Sequence, residues 1–422
     1  MATMLDKFSV LIENKIAPPL LKIAANRYII TMGNGVQTIV PFVVFGSIPL
    51  IIAFFPVPGW AEVLGAWRGT LLSVNAVTFG IMSLVVAFAV AFQLATIYTR
   101  TGLSPLYAGL TSLIAFMTFV KLNVTWFGSQ GLLFSVLIGI ISVELSRLLL
   151  EHGIYFKMPK GVPPFVTETF KNMTSTMIIL AIAWIVSYVA AINVPQLMYD
   201  AITPLISAAD NLLIATLLTT AKGCSLTIGL HPSAVIGPAL PILYQFTGMN
   251  NAAYLAGQPL PHVLTYETTM IFGSAGGAGN PLMLCFLCLR SKSKHLRRVA
   301  RLSLLPGIFG IGEPMMFGIP IAFNPLMIIG CILATIVPAF VGHALMYAGI
   351  VGRTWLTTFF TTPWPIKSLV TTGGDISVFL AELLVTGGLG LLMYYPFFKA
   401  YEKKLLKDES AAQETSTEAT NK

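Results

Sequence analysis

Three side chains inside apolar sequence have the chemistry to bind hydroxyl groups or to move protons. Glu313, His231 and Asn280 each precede a proline, and Glu313 is the only side chain with a full charge at neutral pH between Arg301 and Arg353. An ionisable residue in a membrane segment is costly to insert and is therefore a candidate functional residue. A carboxylate can accept hydrogen bonds from hydroxyl groups and take a proton as general base, and an imidazole can share both tasks.

Two of these residues also have a purely structural interpretation. Glu313 could serve only as the cap of a helix that begins at Pro314, because acids favour helix N-termini and proline favours the first turn. His231 could be a buried histidine that is satisfied at a turn. The breaks around both residues favour the functional interpretation, because an ionisable side chain is costly to place in an apolar membrane segment.

Glycines and aromatic residues supply further candidates for a binding site. The run GSAGGAGNP over residues 273–281 contains Gly276 and Gly277, and glycine lets the main chain approach a ligand closely, although close helix packing is an alternative. The phosphate-loop pattern G-x-x-x-x-G-K-[ST] is absent. Phe360 and Trp364, in TFFTTPWP, offer aromatic faces that suit sugar rings and equally mark membrane interfaces.

The composition indicates that these residues are carried by membrane helices. Of the 422 residues, 55% are hydrophobic and only 10% are charged, with a mean hydropathy of +0.80. In soluble domains about a quarter of all residues are charged. The much lower share here indicates that the chain is embedded in lipid. Length and hydropathy predict spans at residues 29–55, 72–98, 103–121, 130–150, 173–193, 326–346 and 376–395.

The charges predict how the chain lies in the membrane. The net charge of +8 comes from short basic clusters beside apolar segments, a distribution typical of cytoplasmic loops and not of nucleic-acid binding. Both termini are therefore expected in the cytoplasm. Residues 1–27 are predicted to form an amphipathic interfacial helix, and residues 399–422 a polar cytoplasmic tail that is disordered beyond its helix end.

The two halves of the chain differ in regularity. Apolar segments of the first half are continuous, whereas GLHPSAVIGPALP at 229–241, GSAGGAGNP at 273–281 and GIFGIGEPMMFGIPIAFNP at 307–325 are broken by glycine and proline. Irregular backbone at membrane depth is tolerated only where it is buried in protein or lines a cavity. Broken helices of transporters bind polar substrates, so the second half is expected to contain the site.

The four cysteines give no evidence of a metal or redox site. Cys285 and Cys288 have C-x-x-C spacing, but no second ligand pair accompanies them and cysteine is a common small apolar residue in helices. We expect neither a metal nor a cofactor. No cleavable signal peptide is predicted, because the first 20 residues contain acids, bases and two prolines where an apolar core should be.

The chain resembles a family of bacterial sugar permeases. Its N-terminal LDKFSVLIENKIAPPLLKIAANRYI, the run FGSAGGAGNPL, the segment RSKSKHLRRVARLSLLPGIFGIGEPMMFGIPIAFNPL and the closing TTGGDISV with YYPFFKAYEKKL are similar to enzyme IIC. Enzyme IIC is the membrane subunit of the phosphoenolpyruvate-dependent phosphotransferase system, here in its lactose/cellobiose/diacetylchitobiose branch. The resemblance covers nearly the whole chain and is most specific over residues 290–324.

The resemblance implies a fold, an activity and partners. It implies an all-α membrane protein of about ten transmembrane helices with two re-entrant hairpins, assembled as a homodimer in the bacterial cytoplasmic membrane. Residues 28–398 would form this IIC domain, with 28–200 mainly scaffold and dimer contacts and 220–370 mainly substrate binding. Glu313 and His231 match the glutamate and histidine that bind the sugar near the hydroxyl that becomes phosphorylated. Asn280, Gly276, Gly277, Phe360 and Trp364 complete the predicted substrate-binding residues.

Three residues depart from the family pattern and leave the identity of the sugar open. Gly312 stands where asparagine usually precedes the Glu-Pro pair, Pro232 stands where glycine is usual, and Phe360 aligns with a common tryptophan. The missing amide beside Glu313 removes a polar group, and phenylalanine keeps a stacking face but lacks the indole donor.

The function expected from the resemblance is sugar transport coupled to phosphorylation. A β-linked disaccharide such as cellobiose or diacetylchitobiose would enter and be phosphorylated on its C6 hydroxyl by a separate phosphocysteine protein, IIB, itself charged by a IIA protein. Glu313 would accept the hydroxyl proton. A facilitator or proton-coupled symporter without chemistry is the alternative, and a sensor or structural membrane protein is a third class.

Overall fold

The computed structural model describes residues 22, 25–54, 59–98, 102–159, 161–319, 321 and 324–420, and within these ranges all regular secondary structure is helical. The predicted interfacial helix over residues 1–27 falls almost entirely outside the described residues. The α-helices are α1 (Arg27–Gln37), α2 (Val40–Ala53), α3 (Trp60–Leu64), α4 (Trp67–Ala76), α5 (Met82–Ile97), α6 (Pro105–Phe119), α7 (Leu132–Glu151), α8 (Pro164–Trp184), α9 (Val194–Ala209), α10 (Leu212–Cys224), α11 (Pro232–Ile236), α12 (Leu240–Leu255), α13 (Thr268–Ile271), α14 (Pro281–Leu289), α15 (Lys294–Ile308), α16 (Glu313–Gly318), α17 (Pro325–Tyr347), α18 (Ile366–Thr371), α19 (Ile376–Ala381) and α20 (Gly390–Thr420).

Tighter and wider turns interrupt these helices. Short 3₁₀ segments lie at Phe79–Ile81, Val124–Trp126, Ser129–Gly131, Ser225–Ile228 and Gly237–Ala239. Two π-helical segments, Ile185–Val189 and Glu382–Leu389, continue α8 and α19. The second π-helical segment joins α19 to α20, and such segments often occur at functional positions.

Six helical stretches among the described residues are long and apolar enough to cross a membrane. They are Arg27–Ala53, Trp67–Ile97, Ser129–Glu151, Val166–Val189, Leu326–Tyr347 and Ile376–Lys407. These stretches confirm six of the predicted spans and the all-α polytopic class. The predicted span at 103–121 is a shorter apolar helix, Pro105–Phe119, and Leu212–Ile228 is a second short one.

The end of the chain differs from the prediction. We expected a polar tail that is disordered beyond its helix end, but α20 continues to Thr420. The sequence after Tyr401 is rich in alanine, glutamate and lysine, which are good helix formers, and a helix that is already nucleated extends at little cost.

The chain divides into two compact units. The first contains Ala24–Ala209 and Gly237–His262, and the second contains Asp210–Ile236 and Val263–Lys422. Small residues bring helices of the first unit close together: a methyl group on Gly35 would lie 2.5 Å from Val90 Cγ2, and one on Gly139 would lie 2.8 Å from Val90 Cγ1. Van der Waals packing of this kind holds membrane helices together, since lipid supplies no hydrophobic drive between them.

The second unit has its own core, built around α14 and α20. Met283, Leu284, Met316 and Tyr394 are fully or almost fully buried in one apolar cluster. The Tyr394 hydroxyl donates a hydrogen bond to the carbonyl of Gly279, so the core also satisfies the end of the glycine-rich run. Every predicted site residue belongs to this unit.

Candidate functional site

Glu313 begins the short helix α16. Pro314 follows it at the first turn, and Gly312 precedes it as the N-cap residue without a side-chain cap. The Glu313 side chain is half-buried, and no residue that the structure describes donates a hydrogen bond to its carboxylate. An acid at a helix N-terminus is favoured by the helix dipole. The carboxylate thus sits at a break in the apolar sequence with its oxygens available to a ligand.

Four glycines allow three main-chain segments to meet beside Glu313. A methyl group on Gly277, whose φ is +105°, would lie 2.7 Å from the Gly310 carbonyl oxygen. One on Gly312 would lie 2.7 Å from the Gly276 carbonyl oxygen, and one on Gly310 would lie 2.6 Å from the Phe360 carbonyl oxygen. We call these four glycines and the Phe360 carbonyl the glycine junction. A Cβ atom at any of the four would force backbone apart, so the glycines serve main-chain packing here.

Asn280 is buried inside the second unit at the end of the glycine-rich run. It is fully buried, has a left-handed backbone (φ 56°) and precedes α14. Its Nδ2 donates to the carbonyls of Ala334, at 3.0 Å, and Thr386, at 3.1 Å. These contacts fix the end of the glycine-rich run, and a direct contact of Asn280 with substrate stays a prediction.

The aromatic residues lie on a segment that we call the aromatic loop, residues 359–365. The Phe360 side chain is 56% exposed, which leaves its ring free to stack against a ligand. The Trp364 backbone N–H donates to the Ile308 carbonyl at 2.9 Å, so the loop is attached just before the Glu313 segment. The Trp364 indole is half-buried, with a carbon 3.4 Å from a methyl position on Gly387.

His231 lies just before α11 and is exposed, contrary to the alternative of a buried histidine. Its Nδ1 is 2.6 Å from the Ser233 hydroxyl and accepts from the Ser233 backbone N–H at 3.3 Å. A backbone N–H can only donate, so the neutral ring carries its proton on Nε2. That Nε2–H is then available as a donor to a hydroxyl group.

The structure brings only some of the predicted site residues into contact. Gly276, Gly277 and Phe360 meet Gly310 and Gly312 in the glycine junction, and Gly312 directly precedes Glu313 in sequence. No contact between His231 and Glu313 occurs among the described contacts, so their joint action on one hydroxyl stays a prediction. The arrangement offers one carboxylate acceptor, one imidazole donor and one exposed aromatic face, a set suited to a polyhydroxylated ligand.

Several buried charged residues of this unit were missed in the sequence, and three of them stand in apolar sequence. Lys222 donates from Nζ to the Thr269 carbonyl and, at 3.3 Å, to the Thr269 hydroxyl. Lys367 donates from Nζ to the Phe360 carbonyl at 2.8 Å, and Glu382 is fully buried at the start of a π-helical segment. Each stands in apolar sequence, so the criterion that selected Glu313 would have found all three.

The two cysteines of the C-x-x-C pair lie in apolar surroundings. Cys285 and Cys288 are buried free thiols of α14, and Cys285 Sγ donates to the Ala300 carbonyl at 3.2 Å. Both belong to the apolar cluster of the second unit, which supports the packing interpretation of the C-x-x-C spacing.

Comparison with known proteins gives consistent similarities over almost the full length. Residues 33–335 match the family model described as "Phosphotransferase system, EIIC". The chain is 30% identical to the PTS system cellobiose-specific EIIC component of Geobacillus stearothermophilus, over 96% of this chain and 97% of that protein. It is 29% identical to the PTS system lactose-specific EIICB component of Streptococcus mutans, covering 94% of this chain and 72% of that protein.

A solved structure has the same fold. The crystal structure of the transporter ChbC, the IIC component from the N,N'-diacetylchitobiose-specific phosphotransferase system, superposes with a TM-score of 0.89. Its sequence is 29% identical, and the match covers 95% of this chain and 99% of that one.

Proposed function

The chain belongs to the EIIC family of the phosphotransferase system, as a membrane-spanning sugar permease for β-glycosides, and on that premise we propose that it carries a β-linked disaccharide of the cellobiose or diacetylchitobiose type. In this proposal the sugar is phosphorylated on its C6 hydroxyl during transport. EIIC components work with EIIB and EIIA proteins, and the phosphoryl donor here would be a separate IIB protein.

One observation carries the proposal. Glu313 is the only formally charged residue between Arg301 and Arg353, yet it begins a helix at a break and receives no hydrogen bond from any described residue. A carboxylate placed there without a protein donor is suited to accept one from a ligand, because an unsatisfied acid in an apolar segment is costly.

The chemistry asked of Glu313 is a single proton transfer. The C6 hydroxyl oxygen of the sugar attacks the phosphorus of a phosphocysteine on IIB, so that an O–P bond forms and the S–P bond breaks. The hydroxyl proton goes to the Glu313 carboxylate, and the cysteine leaves as a thiolate. His231, with its proton on Nε2, would hold the same hydroxyl or a neighbouring one, and Phe360 would stack on the sugar ring.

The phosphocysteine belongs on another protein in this proposal. Three of the four cysteines of the chain, Cys285, Cys288 and Cys331, are buried, and Cys224 is partly buried within an apolar helix. Burial in apolar surroundings makes a thiol inert, so these residues are poor carriers. The lactose-specific relative is named an EIICB component, which supports a B component acting on a C component of this type.

We extend the proposal to the arrangement in the membrane. The short apolar helices and the broken segments around α11, α14 and α16 would raise the six long spans to about ten crossings with two re-entrant hairpins. Residues 28–200 would mainly form the scaffold of a homodimer, and 220–370 mainly the substrate-binding half. Both termini would face the cytoplasm of the bacterium, as the basic clusters indicate.

The alternative is a transporter without chemistry, in which Glu313 binds only substrate or a proton. Membership of the EIIC family disfavours that alternative. It makes a different product: free sugar would accumulate inside, whereas the proposed reaction delivers sugar 6-phosphate.

The decisive experiment reconstitutes the purified protein in vesicles with IIB, IIA and a phosphoryl source. Labelled cellobiose and diacetylchitobiose are supplied outside, and the internal sugar is separated into free and phosphorylated forms. We expect the sugar 6-phosphate with at least one of the two sugars. Glu313→Gln should keep some sugar binding but lower phosphorylation by about 100-fold or more, the size of a general-base effect.

A matched control is Glu62→Gln, which changes an exposed acid of the first unit in the same way. We expect wild-type rates from this control. Internal sugar that is always free would refute the phosphotransferase function. A Glu313→Gln variant that phosphorylates at the wild-type rate would leave the function standing and refute the role of the base.

A further inference from the structure

Lys367 is a buried cation in the second unit that the proposed chemistry does not use. Its side chain is 6% exposed, on the short helix α18, and its Nζ donates to the Phe360 carbonyl at 2.8 Å. A buried ammonium group is retained only where its charge is paired and its hydrogens are bonded. The question is which residue supplies the charge and what the bond to Phe360 holds in place.

Glu382 is the acid whose charge acts on Lys367 through space, without a direct salt bridge between the two described side chains. It is fully buried at the first position of the π-helical segment and lies within electrostatic range of Lys367. The Trp364 indole and the Ser368 hydroxyl also face its carboxylate, but no described donor reaches either oxygen with hydrogen-bond geometry. Lys367 is the cation that acts on this carboxylate, beside the polar influence of Ser368 and Trp364.

The Phe360 carbonyl is the point at which the aromatic loop touches the segment before Glu313. A methyl group on Gly310 would lie 2.6 Å from this oxygen and 3.8 Å from Lys367 Nζ. The second attachment is the backbone bond from Trp364 N–H to the Ile308 carbonyl. Lys367 thus bonds to the group that confines Gly310, three residues before Glu313.

We propose that Lys367, balanced by Glu382, is a positioning residue that holds the Phe360 carbonyl against Gly310 and so fixes the distance between the aromatic loop and the Glu313 carboxylate. The inference deepens and rests on the proposed function, because it assigns a task to a buried residue that the proposed chemistry does not use. The bond from Lys367 orients the backbone that carries the stacking ring of Phe360. The same bond also fixes the position of the Phe360 carbonyl oxygen, against which Gly310 packs.

A purely stabilising role makes a different prediction. A buried ion pair replaced by neutral residues of similar size often costs little stability, whereas removing one partner leaves an uncompensated charge and is strongly destabilising. If Lys367 served only to neutralise Glu382, removing both charges would restore every property. If Lys367 positions the loop, removing both charges restores stability and leaves the loop loose.

The test compares Lys367→Met, Glu382→Gln and the double variant K367M/E382Q in the full-length protein with its IIB and IIA partners. Three quantities are measured: the thermal midpoint in detergent, KM and kcat for sugar phosphorylation, and hydrogen exchange of peptides covering 306–314 and 357–366. The exchange measurement follows the Trp364 amide directly and does not depend on the role of Glu313. A peptide from α7, in the first unit, serves as the internal control.

We expect the double variant to recover most of the thermal midpoint lost in Lys367→Met. Its KM should stay raised by about tenfold or more, the effect of one hydrogen bond from a charged donor. Exchange at 306–314 and 357–366 should stay faster than in the wild type, with the α7 peptide unchanged. The double variant also answers the question if Lys367→Met alone does not fold.

Two results would overturn the inference. One is a double variant with wild-type KM and wild-type exchange, which would reduce Lys367 to a counter-ion of Glu382. The other is unchanged exchange of the two peptides in any foldable variant that lacks Lys367. If the Glu313→Gln enzyme phosphorylates sugar normally, the proposed base fails, yet the exchange result still decides whether Lys367 holds the loop.

Discussion

Replacing Gly310 with alanine places a methyl group 2.6 Å from the Phe360 carbonyl oxygen. Contacts this close to a backbone atom do not persist, so either the aromatic loop or the segment leading to Glu313 must move. Gly310 also has a left-handed backbone, with φ of +79°, which alanine adopts at a cost. The variant therefore combines two penalties, and a control is needed that carries only one of them.

Gly349 provides that control. Its φ is +70°, close to that of Gly310, and a methyl group built on it meets nothing within 4 Å. Alanine at either position pays about 1 to 2 kcal/mol for the left-handed backbone. Only Gly310→Ala adds overpacking, about 1 to 3 kcal/mol. If that excess is expressed in ligand binding, the dissociation constant of the sugar rises roughly 5- to 150-fold.

The assay measures both variants in the same detergent. The apparent thermal midpoint is followed by loss of monodisperse protein, and sugar affinity is followed by equilibrium binding of labelled disaccharide. We expect Gly310→Ala to melt lower than Gly349→Ala and to bind sugar more weakly, while Gly349→Ala binds as the wild type does. Equal midpoints and equal affinities in the two variants would refute the confinement of Gly310 by the Phe360 carbonyl.

Three further predictions concern single side chains. His231→Ala removes the Nε2–H donor and should weaken sugar binding by about 0.5 to 1.5 kcal/mol in calorimetry; unchanged affinity would make this histidine structural. Phe360→Ala should cost a similar stacking energy, about 0.5 to 1.5 kcal/mol, whereas Phe359→Ala should bind normally, and equal losses would argue against a specific stacking face. Asp210→Asn should lower the thermal midpoint, at a cost of about 1 to 3 kcal/mol, because that carboxylate accepts from two backbone amides and a tyrosine hydroxyl. The exposed Asp200, which bonds a side chain one helical turn away, is the control, and we expect Asp200→Asn to melt as the wild type does.

The spans were predictable because their signal is local. A run of about 20 apolar residues has few alternatives to a membrane helix, and six such predictions agree with the structure. The glycine and proline breaks were visible for the same reason. Residues 237–262 are different, since they begin inside the break at 229–241 and pack with the first unit. No local pattern specifies a return of that kind, because it depends on contacts between residues far apart in sequence.

The site was predictable in its residue types and not in its contacts. Gly276 and Gly277 were expected to admit a ligand, with close packing as the alternative, and they meet the backbone at Gly310 and Gly312, which in turn meets the loop at Phe360. A single sequence does not show which backbone segment packs against a given glycine. Lys367 and Glu382 are visible as isolated charges, yet they lie on different helical segments, and no sequence pattern relates those segments to each other.

Asn280 has a further consequence for how the second unit can move. Its amide bonds the carbonyl of Ala334, in α17, and that of Thr386, in the π-helical segment. The left-handed backbone of a residue with a Cβ costs about 1 to 3 kcal/mol, and the proline that follows narrows the choice further. Two bonds to two different helices offset this cost.

The two bonds of Asn280 therefore depend on the distance between α17 and the π-helical segment. A relative shift of about 1 Å between the two carbonyls lengthens at least one bond beyond its useful range, and the strained residue is then free to relax. Glycine would accept the backbone and donate nothing from its side chain, and aspartate would set oxygen against oxygen. Asparagine is thus suited to the position by the two donors of its amide nitrogen, while its buried Oδ1 accepts no hydrogen bond from a described residue.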